Sequence, residues 1–203
     1  MSALGAPRII GVDVARFGDD RSVICRREGL LCHPLQVYDK LDNMTFAGIV
    51  ATEITRWKPD AVFIDAGRGE GVIDRLRQLG YVVHEINFGS QATKSNQYAN
   101  KRSEMWDEMR LWLDAGGGIP NDSALKSDLS APMYSFSAAG KMVLEPKEHI
   151  KERGLRSPDM ADALALTFAM PVAPCDTRRA ADNAVTIANY DYDPFTRQTT
   201  RRE

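Results

Sequence analysis

Arg8–Val14 reads RIIGVDV and Ala61–Asp65 reads AVFID. Both are runs of β-branched and other apolar residues, the composition of a buried strand. Each carries an aspartate, Asp13 in the first and Asp65 at the end of the second. A carboxylate in such a strand is costly unless something compensates it. Strand ends of α/β sheets are also where ligands usually meet the protein. Taken alone, either aspartate could be a loop residue or the partner of an arginine. Together they point to a polar site at one end of a sheet.

Outward from the first strand, Phe17–Arg21 (FGDDR) reads as a solvated turn, with Asp20 placed where it could reach a metal. Ser22–Arg26 and Leu30–Val37 then read as strands separated by a turn at Gly29, a spacing typical of an antiparallel meander. Periodicity predicts a helix over Thr45–Trp57, with Phe46, Ile49, Val50, Ile54 and Trp57 on one face and Lys58 and Pro59 ending it. Ala61–Asp65 follows, then a turn rich in glycine (Gly67, Gly69, Gly71), a short helix over Val72–Leu79 and a strand over Tyr81–Phe88. Residues 89–96 read as a polar loop. Gln97–Asp114 is amphipathic, with Met105, Trp106, Met109, Trp112 and Leu113 at helical spacing, which makes the tryptophans core residues. Met133–Ser137 and Lys141–Glu145 read as a hairpin. Ser157 as N-cap and Pro158 at the first helical position open a last helix, which ends near Met170. This order predicts an α/β fold: a mixed sheet, an antiparallel meander plus parallel strands, flanked by helices. Residues 1–170 form the domain. Residues 171–203 mix proline, arginine, aspartate and threonine without periodicity and read as a mobile tail.

A chain of 203 residues suits one domain, and 43% hydrophobic with 27% charged residues is ordinary for a globular protein. No apolar run is long enough to span a membrane and the N-terminus lacks a signal-peptide core, so a cytoplasmic protein is expected. A net charge of −2 and a pI near 6.0 argue against binding nucleic acid through bulk electrostatics. They leave room for an acidic centre with a local basic rim. Cys25, Cys32 and Cys175 form no CxxC pair, and the first two read as buried thiols. His33, His84 and His149 show neither HExxH nor zinc-finger spacing. Any metal should therefore be a hard cation on oxygen ligands.

Asp159 and Asp162, three apart in the last helix, share one face. Asp159 alone could be a surface residue answering the helix dipole. Asp162 sits among Ala161, Ala163, Leu164 and Leu166, and the small alanines would let this helix approach the sheet. Asp13, Asp65, Asp159 and Asp162 are thus candidate catalytic residues and ligands of Mg²⁺ or Mn²⁺. Two such ions ~3.5–4 Å apart are the arrangement for in-line phosphodiester hydrolysis.

Four segments carry a resemblance: GVDVARFGDDRSVI (residues 11–24), FIDAGRGEGVIDRL (63–76), NKRSEMWDEMRLWL (100–113) and KERGLRSPDMADALALTFA (151–169). In that order they resemble the C-terminal nuclease domain of the large terminase subunit of tailed bacteriophages and prophages, over about residues 8–170. The resemblance implies a ribonuclease H-like fold related to Holliday-junction resolvases. It also implies a divalent-metal-dependent endodeoxyribonuclease that cuts double-stranded concatemeric viral DNA during genome packaging, in the bacterial host cytoplasm. The family's first acidic position falls on Asp13, its second on Asp65 and its third within SPDMAD. There Asp162 is preferred as the main ligand, with Asp159 as a second ligand or water-positioning group. Two Mg²⁺ or Mn²⁺ ions, the portal protein, the small terminase subunit and an ATPase domain are the implied cofactors and partners. No GxxxxGK[ST] phosphate loop occurs in the chain, so an excised domain or truncated prophage product without translocating ATPase activity is expected.

The glycine-rich GRGEG stretch lacks the lysine of a phosphate loop and the spacing of a dinucleotide cradle. Its Arg68, together with Lys101, Arg102, Lys147, Lys151 and Arg156, forms a candidate DNA-binding rim that would position phosphates without reading sequence. Glu148 and Glu152 interleave, as on an ordinary solvated face. Two other readings compete: a structure-selective junction resolvase, and a non-catalytic docking module for the portal or small terminase subunit. An actin-like sugar kinase would need a second phosphate-binding strand and a longer chain.

Overall fold

The computed structural model describes residues 5–15 and 21–174. In chain order the elements are β1 Arg8–Asp13, β2 Ser22–Glu28, β3 Leu31–Cys32, β4 Gln36–Tyr38, α1 Asn43–Trp57, β5 Ala61–Asp65 and α2 Ala66–Gln78. They continue with β6 His84–Ile86, α3 Lys101–Asp114, α4 Ser123–Ser130, β7 Tyr134–Phe136, β8 Met142–Leu144, α5 Lys147–Glu152 and α6 Asp159–Leu166. Asp19, Asp20 and all of the expected tail beyond residue 174 lie outside the described residues.

The predicted mixed sheet is present. β2 pairs antiparallel with β1, β3 and β4, while β1, β5 and β6 run parallel. The third strand, expected as Leu30–Val37, is instead two short strands that both pair with β2. Pro34 lies between them, and a proline has no N–H to offer a ladder. β7 and β8 form the expected hairpin.

Side chains alternate across a strand, and here both faces are covered. Ile10, Val12, Val62 and Ile64 meet Phe46 and Val50 of α1 and Val72, Ile73 and Leu76 of α2. Ile9, Ala61 and Phe63 meet Met105, Trp106 and Met109 of α3, Leu125 of α4 and Leu164 of α6. Asp13 and Asp65 therefore point to the α3 and α6 side. Every residue of α6 is buried. A Cβ on Gly11 would come within 2.1 Å of the Ala163 carbonyl oxygen, so α6 rests directly on the backbone of β1. Cys25 and Cys32 are buried thiols, as expected, with Sγ atoms 3.6 Å apart.

Several boundaries differ from expectation. α2 begins at Ala66, because the Asp65 carboxylate accepts the Gly67 N–H as an N-cap. The glycine-rich stretch is thus the first turn of a helix, not a loop before one. α3 begins at Lys101 behind an Asn100 cap. α6 ends at Leu166, with Pro158 at its N-cap and Ser157 outside it. α4 and α5 have no counterpart in the sequence reading. Among the described residues, no helix is long and apolar enough to cross a membrane.

Candidate metal centre

β1 and β5 run parallel with Val12 opposite Ile64. The next residues, Asp13 and Asp65, thus stand level at the C-terminal ends of adjacent strands. α6 lies on the same face and brings Asp159 and Asp162. All four carboxylates are buried, Asp162 completely. Removing one charge from water costs several kcal/mol, more than a buried leucine returns, about 1.5–3 kcal/mol. Such a cluster needs compensating charge.

Lys147 supplies it. Its Nζ donates to Asp13 Oδ2 at 3.1 Å, and lies 3.0 Å from Asp162 Oδ2 and 3.7 Å from Asp159 Oδ1. The lysine reaches this point because the end of β8 is bolted to α3. The Leu144 N–H donates to Ser103 Oγ at 2.9 Å, and Arg102 Nη1 donates to the Glu145 carbonyl at 2.7 Å. Pro146 then starts α5, whose first residue is Lys147. Burial pulls the ammonium's pKa down, but Asp13, Asp162 and Asp159 overcome this and hold it above the usual lysine range. Burial pushes the Asp13 carboxyl well above the ordinary carboxylate range and the Asp65 carboxyl above it as well, only partly opposed by Lys147.

Asp162 is saturated. Arg102 donates through Nε to Oδ1 at 3.0 Å and through Nη2 to Oδ2 at 3.3 Å, and Trp106 Nε1 donates to Oδ1 at 2.7 Å. With Lys147 on Oδ2, each oxygen has two partners, as many as a carboxylate oxygen accepts. Burial would raise its pKa, but Arg102 and Lys147 hold it below the ordinary range. Asp159 is engaged more lightly: Ser157 Oγ donates to Oδ1 at 2.5 Å and the Arg21 N–H to Oδ2 at 3.2 Å. Asp13 Oδ1 is buried with no hydrogen-bond partner at all.

The donor set fits a hard divalent cation. It is all oxygen, it surrounds a positive charge, and it includes one orphaned carboxylate oxygen. The carboxylates nevertheless gather round an ammonium. Among the described residues no three acidic, histidine or cysteine side chains form a ready-made cage.

No family model and no curated protein matches the chain. Solved structures do. The nuclease domain of the large terminase subunit gp2 of bacterial virus Sf6 is similar at 17% identity and a TM-score of 0.71, over 83% of this chain and 90% of that one. The chain has the fold of a large-terminase nuclease domain. The large terminase nuclease from thermophilic phage G20c is similar at 16% identity and a TM-score of 0.64, over 83% of this chain and 84% of that one. That nuclease has also been solved with bound magnesium and with bound cobalt.

On this terminase-nuclease fold the basic residues singled out in the sequence divide in two. Arg68, Lys151 and Arg156 are exposed. Lys101 and Arg102 are buried: Lys101 Nζ donates to Thr93 Oγ1 and Glu104, while Arg102 holds Asp162 and Glu145. Lys147 stands among the carboxylates instead of on a rim. Arg21, Ser157 and Asp128 also belong to the site, and no motif in the sequence marks them as such. Trp106 is a core residue, as expected, but its N–H also serves Asp162.

Proposed function

We propose that this domain is a divalent-metal-dependent endonuclease that cleaves double-stranded viral DNA during genome packaging. One observation carries the reading: aspartates from β1 and α6 converge on Lys147 at the end of the sheet where Asp65 closes β5, with an Asp13 oxygen left unpartnered. The similarity in fold to terminase nucleases supports it. In this reading Asp13 and Asp65 hold Mg²⁺ or Mn²⁺. Asp159 joins them without breaking its present bonds, whereas Asp162 can offer an oxygen only in exchange for Lys147. The preference between the two thus shifts towards Asp159 as third ligand, with Asp162 as the anchor of Arg102 and Trp106. Two bound cations would supply a nucleophile at neutral pH and stabilise the departing 3′ oxygen. Lys147 keeps the carboxylates compensated when they hold no cation, and Arg68, Lys151 and Arg156, all exposed, are the basic residues that would meet DNA phosphates. Portal protein, small terminase subunit and an ATPase domain are the partners this role requires, in the cytoplasm of a bacterial host.

Incubating the purified protein with supercoiled plasmid and Mn²⁺ tests the reading. Nicking and linearisation are expected, and they should be lost in Asp13→Ala. Equal activity in that variant would mean a contaminating nuclease and sink the assignment.

A further inference from the structure

Asp128 belongs to none of the motifs, yet it is a carboxylate buried on α4, which Leu125 roots in the core. Asp128 Oδ2 accepts the backbone N–H of Met160 at 3.0 Å and Arg21 Nη2 at 3.5 Å. Both partners lead to Asp159. Met160 follows it on α6, and the Arg21 N–H donates to Asp159 Oδ2. A closed ring therefore runs from Asp128 through Arg21 to the Asp159 carboxylate, and back along the α6 backbone. Pro158 at the N-cap of α6 gives that helix no side-chain acceptor. The orphan N–H groups of a first turn need partners, and Asp128 supplies one from a neighbouring helix.

We propose that Asp128 is a positioning residue of the cation site, fixing through Arg21 and the first turn of α6 the orientation in which Asp159 presents its carboxylate. The inference rests on the nuclease reading above, in which Asp159 is a ligand. Ser157 holds one Asp159 oxygen and the Arg21 N–H the other. Releasing Arg21 leaves the second oxygen free to turn. Groups that orient a metal ligand typically change metal affinity by 10–100-fold when removed. Burial lifts the Asp128 carboxyl to about 6, which leaves it mostly ionised, and able to pair with Arg21, under neutral assay conditions.

The test measures Mn²⁺ binding by calorimetry, the Mn²⁺ dependence of plasmid nicking and thermal melting, for wild type, Asp128→Ala, Asp128→Asn and Arg21→Ala. Asp128→Ala is expected to weaken Mn²⁺ binding about tenfold and to raise half-saturating Mn²⁺ by a similar factor, with DNA affinity unchanged. Asp128→Asn keeps an oxygen for the Met160 N–H but loses the ion pair, and should fall between wild type and alanine. Adding Arg21→Ala to Asp128→Ala should cost little more. A lower melting temperature with unchanged Mn²⁺ affinity overturns the inference and leaves the nuclease reading intact. Should the alanine variant not fold, unchanged affinity in both Asp128→Asn and Arg21→Ala overturns it equally. Wild-type protein that neither binds Mn²⁺ nor nicks DNA overturns both.

Discussion

Lys147 decides how four buried aspartates coexist, and its removal has two opposed consequences. In the metal-free protein, Lys147→Ala leaves Asp13 without its cation and Asp162 with Arg102 alone. Breaking a buried pair from one side costs about 3–5 kcal/mol, so urea unfolding should show a loss of that order. With Mn²⁺ present the same vacancy favours the metal, and the Mn²⁺-induced rise in melting temperature should exceed that of wild type. A variant that is less stable yet gains nothing extra from Mn²⁺ would place the cation away from the lysine's position. Asp159 and Asp162 should separate in the same experiments. Asp162→Asn disturbs the bidentate Arg102 contact and is expected to lose more stability. Asp159→Asn is expected to lose more Mn²⁺ affinity. The reverse result would return the third ligand to Asp162.

At the scale of elements, the contact of α6 with β1 sets the distance between its carboxylates and the strand ends. Gly11 permits it, and nothing larger fits beneath the Ala163 carbonyl. Gly11→Ala should lift α6 off the sheet and lower stability by several kcal/mol, in line with overpacking at about 1–3 kcal/mol plus lost helix contacts. Nicking should fall further than the folded fraction measured by circular dichroism. This part of the architecture is largely legible in the sequence. Uninterrupted apolar runs announce β1 and β5, and the alanines of ADALAL announce a helix able to lie close to them. What stays hidden depends on contacts distant in sequence. Lys147 sits in a stretch of alternating charges that reads as a solvated face. The Leu144 N–H bond to Ser103 and the Arg102 bond to the Glu145 carbonyl, both made far along the chain, help to turn it inward. Arg102 is hidden likewise, since a basic residue at a helix start says nothing of Asp162, sixty positions on. Short elements escape for a local reason: α5, six residues long, is below the length at which periodicity registers.

Across the whole molecule the two faces of the sheet are unequal. The α1 and α2 side is closed by aliphatic and aromatic side chains. The α3 and α6 side carries the aspartate cluster, at the end where β1 and β5 stop, whereas on the α1 side the buried Glu53 is paired with Arg26. Charge in the aspartate cluster ties stability to pH in two opposite senses. Asp13 and Asp65 have pKa values raised by burial. The stability they contribute is complete below the ordinary carboxylate value, about 4, and is lost as pH rises through their folded values. Asp162, held low by Arg102 and Lys147 against burial, contributes stability above the ordinary value that is lost as pH falls through its folded one. A cation requires Asp13 and Asp65 ionised, so protons compete with it. The rise in melting temperature caused by Mn²⁺ should therefore be larger at about pH 7.5 than at about pH 5. In Asp13→Asn one competing proton site is gone, and the rise should be smaller and flatter with pH. A rise equal at both pH values in wild type would mean that Mn²⁺ binds outside this cluster, and the carboxylates would then be a structural network alone.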